Sequence, residues 1–463
     1  MICMKKKTWK ELFLLFLCFL LAFLFMHELQ WGPFGRKMQW YRSWIKLQTL
    51  DLFVPREVQK VLILAPHPDD EIISSAGLIF DLLAQDAEVY VVFITNGEGF
   101  GDYIQAQEQD KNRSENNRIL LGYERQRESV QALTYLGLPK ENIFFLAYPD
   151  GGIHKLWFSY YTIPFKSPHT RKDYSPYDNS FTHGALNTGE QLSTDLMQIL
   201  QSLKPHIIIT PSVYDFHPDH WASSVFLYTE LEILREYGES WVDTVAIYEY
   251  LVHQGKLAWP RPWGVHQELR LIPPSSLLLD TLSWEEYPLS PEAYQAKSKA
   301  LSAFSSQTPL IGQFLLAFLR KNELFCRRDH LSREIVDPKG DFVAKEIFRN
   351  ADFYFKQLSY DSDYLYAKVK LAPNVGLPGV KYQVKVVLYQ MLEDHRIHEE
   401  RIQMVLNKEN TSFYGQEFEF KVELPKDLPV FMAAISFESF TKPLTVFIDK
   451  TPWSLIRFNE SLP

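Results

Sequence analysis

Cysteine is scarce in this chain. Its 463 residues include only Cys3, Cys18 and Cys326. The first two lie in or beside an N-terminal apolar run, so the folded part, which keeps Cys326, has no internal disulfide. No Cys-x-x-Cys pair occurs, which excludes a thiolate zinc site and leaves His and carboxylates as donors for any metal. Positive charge is not in excess either. Lys and Arg number 48 against 57 Asp and Glu, a formal net charge of −9. A protein that grips nucleic acid carries a basic patch or a basic excess; this one has neither, so nucleic acid is excluded as a partner. Internal repeats and low-complexity segments are absent. Only one apolar run, Leu12 to Met26, is long enough to concern a membrane.

What the chain does have is length and a normal core. At 463 residues it exceeds one ordinary domain, and two or three units are expected. Hydrophobic residues at 46% and charged residues at 23% can build a buried interior. Aromatics reach 15%; most fill the core, though aromatic faces also suit stacking on sugar rings.

Lys5, Lys6, Lys7 and Lys10 precede the apolar run. A spanning helix uses roughly 17–25 apolar residues and a signal-peptide core roughly 7–15, so the run lies on the border. No small-x-small cleavage pattern follows Met26, which favours an uncleaved anchor over residues 1–32. The preceding lysines place the N-terminus in the cytoplasm and the rest of the chain outside, although Arg36, Lys37 and Arg42 follow the run closely.

From Val58 the pattern changes. Val61-Leu62-Ile63-Leu64-Ala65 is a short apolar run without polar interruption, as expected of a buried parallel strand. Further strands are expected at Glu88–Thr95, Asn142–Leu146 and Ile207–Thr210. Helices are expected at Ile72–Leu83, Arg125–Leu136, Leu192–Leu203, Pro291–Ser305 and Leu310–Asn322. Tyr103–Arg125 and Lys155–Thr188 read as surface loops. Alternation of strand and helix implies an α/β fold with a parallel sheet, spanning 33–335. Beyond it, Tyr364–Leu371, Tyr382–Leu388, Glu417–Leu424 and Val430–Phe437 read as strands. The first three largely alternate and the last is more uniformly apolar. An all-β, sandwich-like module is expected over 340–463.

Two motifs carry chemistry. Pro66-His67-Pro68-Asp69-Asp70-Glu71 directly follows the first buried strand, and His217-Pro218-Asp219-His220 follows the strand at Ile207–Thr210. Sites in open α/β sheets form at the carboxyl ends of strands, so the two motifs can meet. His67 and Asp70 can bind one metal from a tight turn, and His220 can supply a third ligand. Two His and a carboxylate leave a coordination position open for water. Asp69 remains as a candidate general base, and His217 as a cation or donor for an oxyanion. That set suffices to hydrolyse an amide. Read singly, the carboxylates would merely cap a helix and the His-Pro-Asp-His a surface turn.

His-Pro-Asp-Asp-Glu with His-Pro-Asp-His downstream resembles the LmbE/PIG-L family of zinc-dependent N-deacetylases. The resemblance covers roughly residues 57–325. It implies a Rossmann-like α/β domain and deacetylation of N-acetylglucosamine-type sugars. It also implies Zn2+ (Fe2+ suits the same donors) held by His67, Asp70 and His220, with Asp69 as base and His217 as oxyanion stabiliser. Arg127-Glu128 followed by Leu136-Gly137, and Tyr148-Pro149-Asp150-Gly151-Gly152, resemble further family segments, which would set Arg127 and Asp150 against substrate. Lys299-Ala300-Leu301 with Ser306-Gln307 resembles a helix near the family's C-terminal end. The whole then reads as a membrane-anchored, extracytoplasmic deacetylase of an N-acetylated glycan or glycolipid. A non-catalytic glycan-binding scaffold, a zinc amidase acting on a non-sugar acyl amide, and a cytosolic enzyme working on a membrane-embedded N-acetylglucosaminyl lipid stay open as alternatives.

Overall fold

The computed structural model describes residues 50–55, 60–101, 115–254, 259–278, 282–328, 334–335, 353–371, 380–392, 396–406, 411–414, 417–426, 430–441 and 446–458. The expected anchor over 1–32 lies outside them. Among the described residues no helix is long and apolar enough to cross a membrane.

The first layer runs β1 (Asp51–Leu52), β2 (Lys60–Ala65), α1 (Asp70–Leu83), β3 (Glu88–Thr95), α2 (Glu115–Leu136), β4 (Ile143–Tyr148), α3 (Ile153–Phe158), α4 (Gly189–Leu203), β5 (Ile207–Pro211), α5 (Pro218–Glu236), β6 (Ala246–Tyr250), β7 (Ser283–Pro288), α6 (Pro291–Leu301), α7 (Thr308–Leu316) and β8 (Asn322–Arg328). Its sheet has the order β1-β7-β8-β6-β5-β2-β3-β4. β2 pairs in parallel with both β3 and β5, β3 with β4, and β5 with β6; β8 alone runs against its neighbours β6 and β7. β2 is buried from Val61 to Ala65 because helices cover both faces, which explains its unbroken apolar run. The chain leaves β2 toward β3 on one side and returns as β5 on the other. The crevice between β2 and β5 is thus the switch point of a doubly wound sheet, where such folds bind ligands.

Two helices depart most from the sequence expectation, for the same reason, and the strands β6, β7 and β8 and the short α3 were not expected. α2 begins at Glu115, inside the stretch read as a loop, and before Ala132 buries Arg118, Gly122, Arg125, Gln126 and Glu128, so that part of its inner face carries no apolar signal. α5 was not expected at all. Residues 222–234 are buried throughout, Glu230 and Glu232 included, so no polar stripe marks a helical period. The expected helices at 291–305 and 310–322 end earlier, at Leu301 and Leu316, and Asn322 opens β8.

The second layer is all β: β9 (Glu334–Ile335), β10 (Phe353–Tyr360), β11 (Tyr364–Leu371), β12 (Val380–Met391), β13 (Ile397–Val405), β14 (Thr411–Tyr414), β15 (Glu417–Glu423), β16 (Val430–Thr441), β17 (Val446–Lys450) and β18 (Ser454–Arg457). One antiparallel sheet is β14-β15-β11-β10-β9; the other is β13-β12-β16-β17, with β18 also on β16. Val384, Val386 and Leu388 of β12 and Ala433, Ile435 and Phe437 of β16 face the first sheet and form a core with Phe418 and Phe420. The alternate residues Val387, Tyr389, Met432 and Ala434 join the core of the α/β layer. β16 is apolar on both faces because both are covered, which accounts for its uniform sequence. Trp453 seals this seam, its ring 5.6 Å from Trp157 and 5.8 Å from Phe158.

Candidate active site

The turn after β2 and the loop before α5 converge at the switch point. Three donor atoms form a nearly equilateral triangle: His67 Nδ1 lies 3.2 Å from His220 Nε2 and 3.3 Å from Asp70 Oδ2, and His220 Nε2 lies 3.2 Å from Asp70 Oδ2. A tetrahedral zinc with bonds of about 2.0–2.1 Å sets its ligands roughly 3.3 Å apart, so the triangle has the right edge for one ion. Wider trios, His67–His217–His220 and His67–Asp150–Asp219, also bring ligand atoms within 4.8 Å of one another.

Each imidazole in the triangle is oriented from behind by carboxylates. Asp215 Oδ2 lies 3.2 Å from His220 Nδ1 and also accepts from the backbone N–H of Val252 (2.9 Å) and His253 (3.0 Å). Placing the proton on Nδ1 leaves the Nε2 lone pair for a metal. Asp150 Oδ1 and Asp219 Oδ2 lie 3.2 and 3.5 Å from His67 Nε2, as ion pairs rather than well-aligned hydrogen bonds. Asp219 in turn accepts from the N–H groups of Gly151 and Ile153, which fixes the Asp150 turn. Burial opposes charge on His220, yet Asp215 and Asp70 outweigh it and raise its pKa to about 10. His67 behaves alike: against burial, Asp150, Asp219 and Asp70 hold its pKa well above the usual value. Buried carboxylates thus make this a site that stabilises a cation.

Asp69 sits beside the triangle in an unusual backbone conformation, φ 135° and ψ −31°. Such a position costs an L-residue about 1–3 kcal/mol and persists only where the surroundings over-determine it. Here they do. The Pro68 carbonyl accepts from Arg125 Nη2 (2.7 Å) and Gln307 Nε2 (2.9 Å). The Pro66 carbonyl accepts from Thr95 N and Oγ1, and the Asp69 N–H donates to Glu71 Oε2 at 2.9 Å. The Asp69 side chain makes no capping bond to α1, so helix capping does not account for it. Burial and the neighbouring Asp70 push its carboxyl up to about 7, the range that suits a general base near neutrality.

His217 is the N-cap of α5. Its Nδ1 accepts from the Asp219 N–H at 3.3 Å, which assigns its proton to Nε2. Burial, with His67 and His220 close by, lowers its pKa to about 3. Of the two roles open to it, the neutral donor fits. His253, which the sequence gives no reason to choose, completes the cluster with its ring 4.8 Å from His220 and 5.2 Å from His217.

The two residues expected to meet substrate fare differently. Asp150 reaches the site, but Oδ1 faces His67 and Oδ2 accepts from the Gly99 N–H at 2.8 Å. Arg127 does not reach it: its side chain is 71% exposed and pairs with Glu124. Two residues along a helix turn the side chain through about 200°, and it is Arg125 that points inward. Arg125 Nη1 also donates to the Gly97 carbonyl at 2.8 Å. A Cβ on Gly97, which has φ +65°, would lie 1.8 Å from that nitrogen, so the turn after β3 requires glycine. Asp215 was legible in hindsight as the start of Asp-Phe-His-Pro-Asp-His.

Residues 62–229 match the family model described as PIG-L: GlcNAc-PI de-N-acetylase. A putative glucosamine-6-phosphate deaminase-like protein of Bacteroides thetaiotaomicron is 24% identical over 317 residues; the match takes in 63% of this chain and spans 42% of that relative's length. Among solved structures, the N,N'-diacetylchitobiose deacetylase of Pyrococcus horikoshii is 17% identical with a TM-score of 0.36, covering 63% of this chain and 92% of that one. The A40926 pseudoaglycone deacetylase Dbv21 is 16% identical with a TM-score of 0.38, covering 60% of this chain and 100% of that one.

Proposed function

We propose, from the premise that residues 62–229 form a PIG-L (LmbE-like) domain, that this protein hydrolyses the acetamide of an N-acetylglucosamine-type sugar in a glycan or glycolipid and releases acetate. The observation that carries the reading is the triangle of His67 Nδ1, Asp70 Oδ2 and His220 Nε2 with Asp69 and His217 at its side. His67, Asp70 and His220 would hold Zn2+, or Fe2+ in its place, and that ion supplies a Lewis acid for the amide carbonyl and for water. Asp69 takes a proton from the attacking water. His217 donates its Nε2–H to the oxygen that becomes negative in the tetrahedral intermediate. Asp69 then returns its proton to the nitrogen as the C–N bond breaks, giving acetate and a free amine. Asp215 and Asp150 keep the two imidazoles in the ligating tautomer throughout. Arg125 and Gln307 hold the turn that aims Asp69.

The lysine-flanked run Leu12–Met26 is read as an anchor with the catalytic domain outside the cytoplasm, which makes an envelope glycan or exported glycolipid the natural substrate. The test is acetate release by the full chain from a panel of N-acetylglucosamine glycans and lipids, with bound metal measured alongside. Asp69→Ala should lose release by at least about a hundredfold while keeping its metal. Metal bound but no acetate from any sugar would shift the reading to a non-sugar amide. Neither metal nor release would leave a non-catalytic scaffold.

A further inference from the structure

A second concave site lies along the seam of the two layers, away from the histidines. It is a groove of about 640 Å3 between α4, α5 and the edge strand β13. That volume is within the range of small-molecule sites, which favour such interfaces. Glu230 forms one wall. It is ten residues beyond His220 on α5, about 15 Å along the helix axis at 1.5 Å per residue, so the groove is separate from the catalytic centre yet within reach of one extended oligosaccharide.

The groove's chemistry is uneven. Arg401 is the one cation of Lys or Arg type among its described lining residues. It is already engaged, ion-paired to Glu399 at 2.5 Å and lying 3.5 Å over the ring of Tyr161. Tyr161 donates to the same Glu399 at 2.7 Å. Among the described residues Glu230 has no such counter-charge. It is 1% exposed, the Ser193 hydroxyl lies beside it, and its Oε1 has no partner among the described residues. A buried carboxyl oxygen without a partner is costly, and a ligand donor would relieve it. The remaining wall is the polar side of α4, with Thr194, Gln198 and Gln201 exposed along it. Excess carboxylate disfavours phosphate or carboxylate ligands. Hydroxyl and amide groups beside an unpaired acid favour a polyhydroxylated cation.

We propose that this groove binds an amino sugar with a free amine, its ammonium directed at Glu230 and its hydroxyls at the polar side of α4. The inference rests on the deacetylase reading, because that reaction generates such a residue. The groove would then hold an already deacetylated unit of a chain while an acetamide further along the same chain occupies the catalytic centre.

The test uses the full chain and a glucosamine trimer, which has no acetamide to hydrolyse, followed by isothermal titration calorimetry. A glucose trimer is the control with hydroxyls but no amine. Thr194→Trp fills the groove from an exposed position, and Glu230→Gln removes the acid that would take the ammonium. The glucosamine trimer should bind wild type and Asp69→Ala equally and bind both groove variants at least tenfold more weakly. The glucose trimer should bind wild type at least tenfold more weakly. Acetate release from an N-acetylated monosaccharide should be unchanged in Thr194→Trp. No binding by wild type, equal binding by Thr194→Trp, or equal affinity for the two trimers would overturn the proposal. Failure of the deacetylase reading appears separately, as absence of acetate release, and leaves the calorimetric result standing.

Discussion

Replacing Asp215 by Asn tests whether the site works as a metal centre or as a hydrogen-bonded cluster of buried side chains. Asp215 is 3% exposed and touches no reacting group. Its Oδ2 takes the His220 Nδ1–H and two backbone N–H groups, and its Oδ1 takes the His217 N–H at 2.9 Å. Asn keeps the shape but has one acceptor oxygen. If that oxygen keeps the three donors at Oδ2, the amide nitrogen opposes the His217 N–H; if it flips, three donors are left facing an NH2. Loss of an outer carboxylate behind a ligating His typically costs 10–100-fold in metal affinity or activity, about 1.4–2.7 kcal/mol. Leaving a buried donor unpaired costs a further ~1–3 kcal/mol of folding stability. Zinc affinity would be measured by competition with a chromophoric chelator, turnover at saturating metal, and stability by thermal melting. The expected variant melts lower, binds zinc 10–100-fold more weakly and recovers part of its rate at high zinc. A folded Asp215→Asn protein with unchanged zinc affinity and turnover would refute the assignment of His220 as a ligand oriented by Asp215.

The remaining predictions are briefer. Arg125→Met removes one donor each from the Pro68 and Gly97 carbonyls, which keep Gln307 Nε2 and the Phe100 N–H, and should destabilise by about 1–3 kcal/mol in all with loss of turnover, whereas Arg127→Met should stay within ~0.5 kcal/mol; similar effects in both would mean that α2 is rotated from the orientation described. Metal uptake should release protons, because His220 is raised to about 10 and is protonated before the ion arrives; calorimetry in buffers of different ionisation enthalpy measures this, and a buffer-independent heat would contradict it. Burial lifts the Glu230 carboxyl from its ordinary 4.5 to about 8. A carboxyl raised in the folded state binds its proton more tightly there than in the unfolded chain. Its stabilising effect is therefore full below about 4.5 and is lost as pH rises to about 8, up to about 5 kcal/mol in all. Melting temperatures across pH 5–9 should show less of this fall in Glu230→Gln.

Much of the site was legible because it is carried by short contiguous motifs. His67, Asp69 and Asp70 occupy one turn, and His217 and His220 one helix start. Residues that position them were harder to find. Arg125 and Arg127 are equivalent as sequence, and the sense in which α2 packs decides between them. Gln307, part of a family-like segment with no role assigned, reaches Pro68 from 239 residues away and His253 arrives on the loop after β6, so neither role has a local signal.

By itself the sequence determined the alternation that makes an α/β layer, the β-rich second half, and two polar motifs placed after strands buried enough to read as apolar runs. These follow from side-chain period and hydropathy, which are local. The tertiary structure alone decided that β2 and β5 are neighbours, so that both motifs face one crevice and their donor atoms close to 3.2–3.3 Å. It alone showed α5, hidden because a helix buried all round has no polar face to give it a period. It also brought β13 against α4 and α5, because the charge balance of that groove depends on packing between segments separated by about 200 residues in the chain.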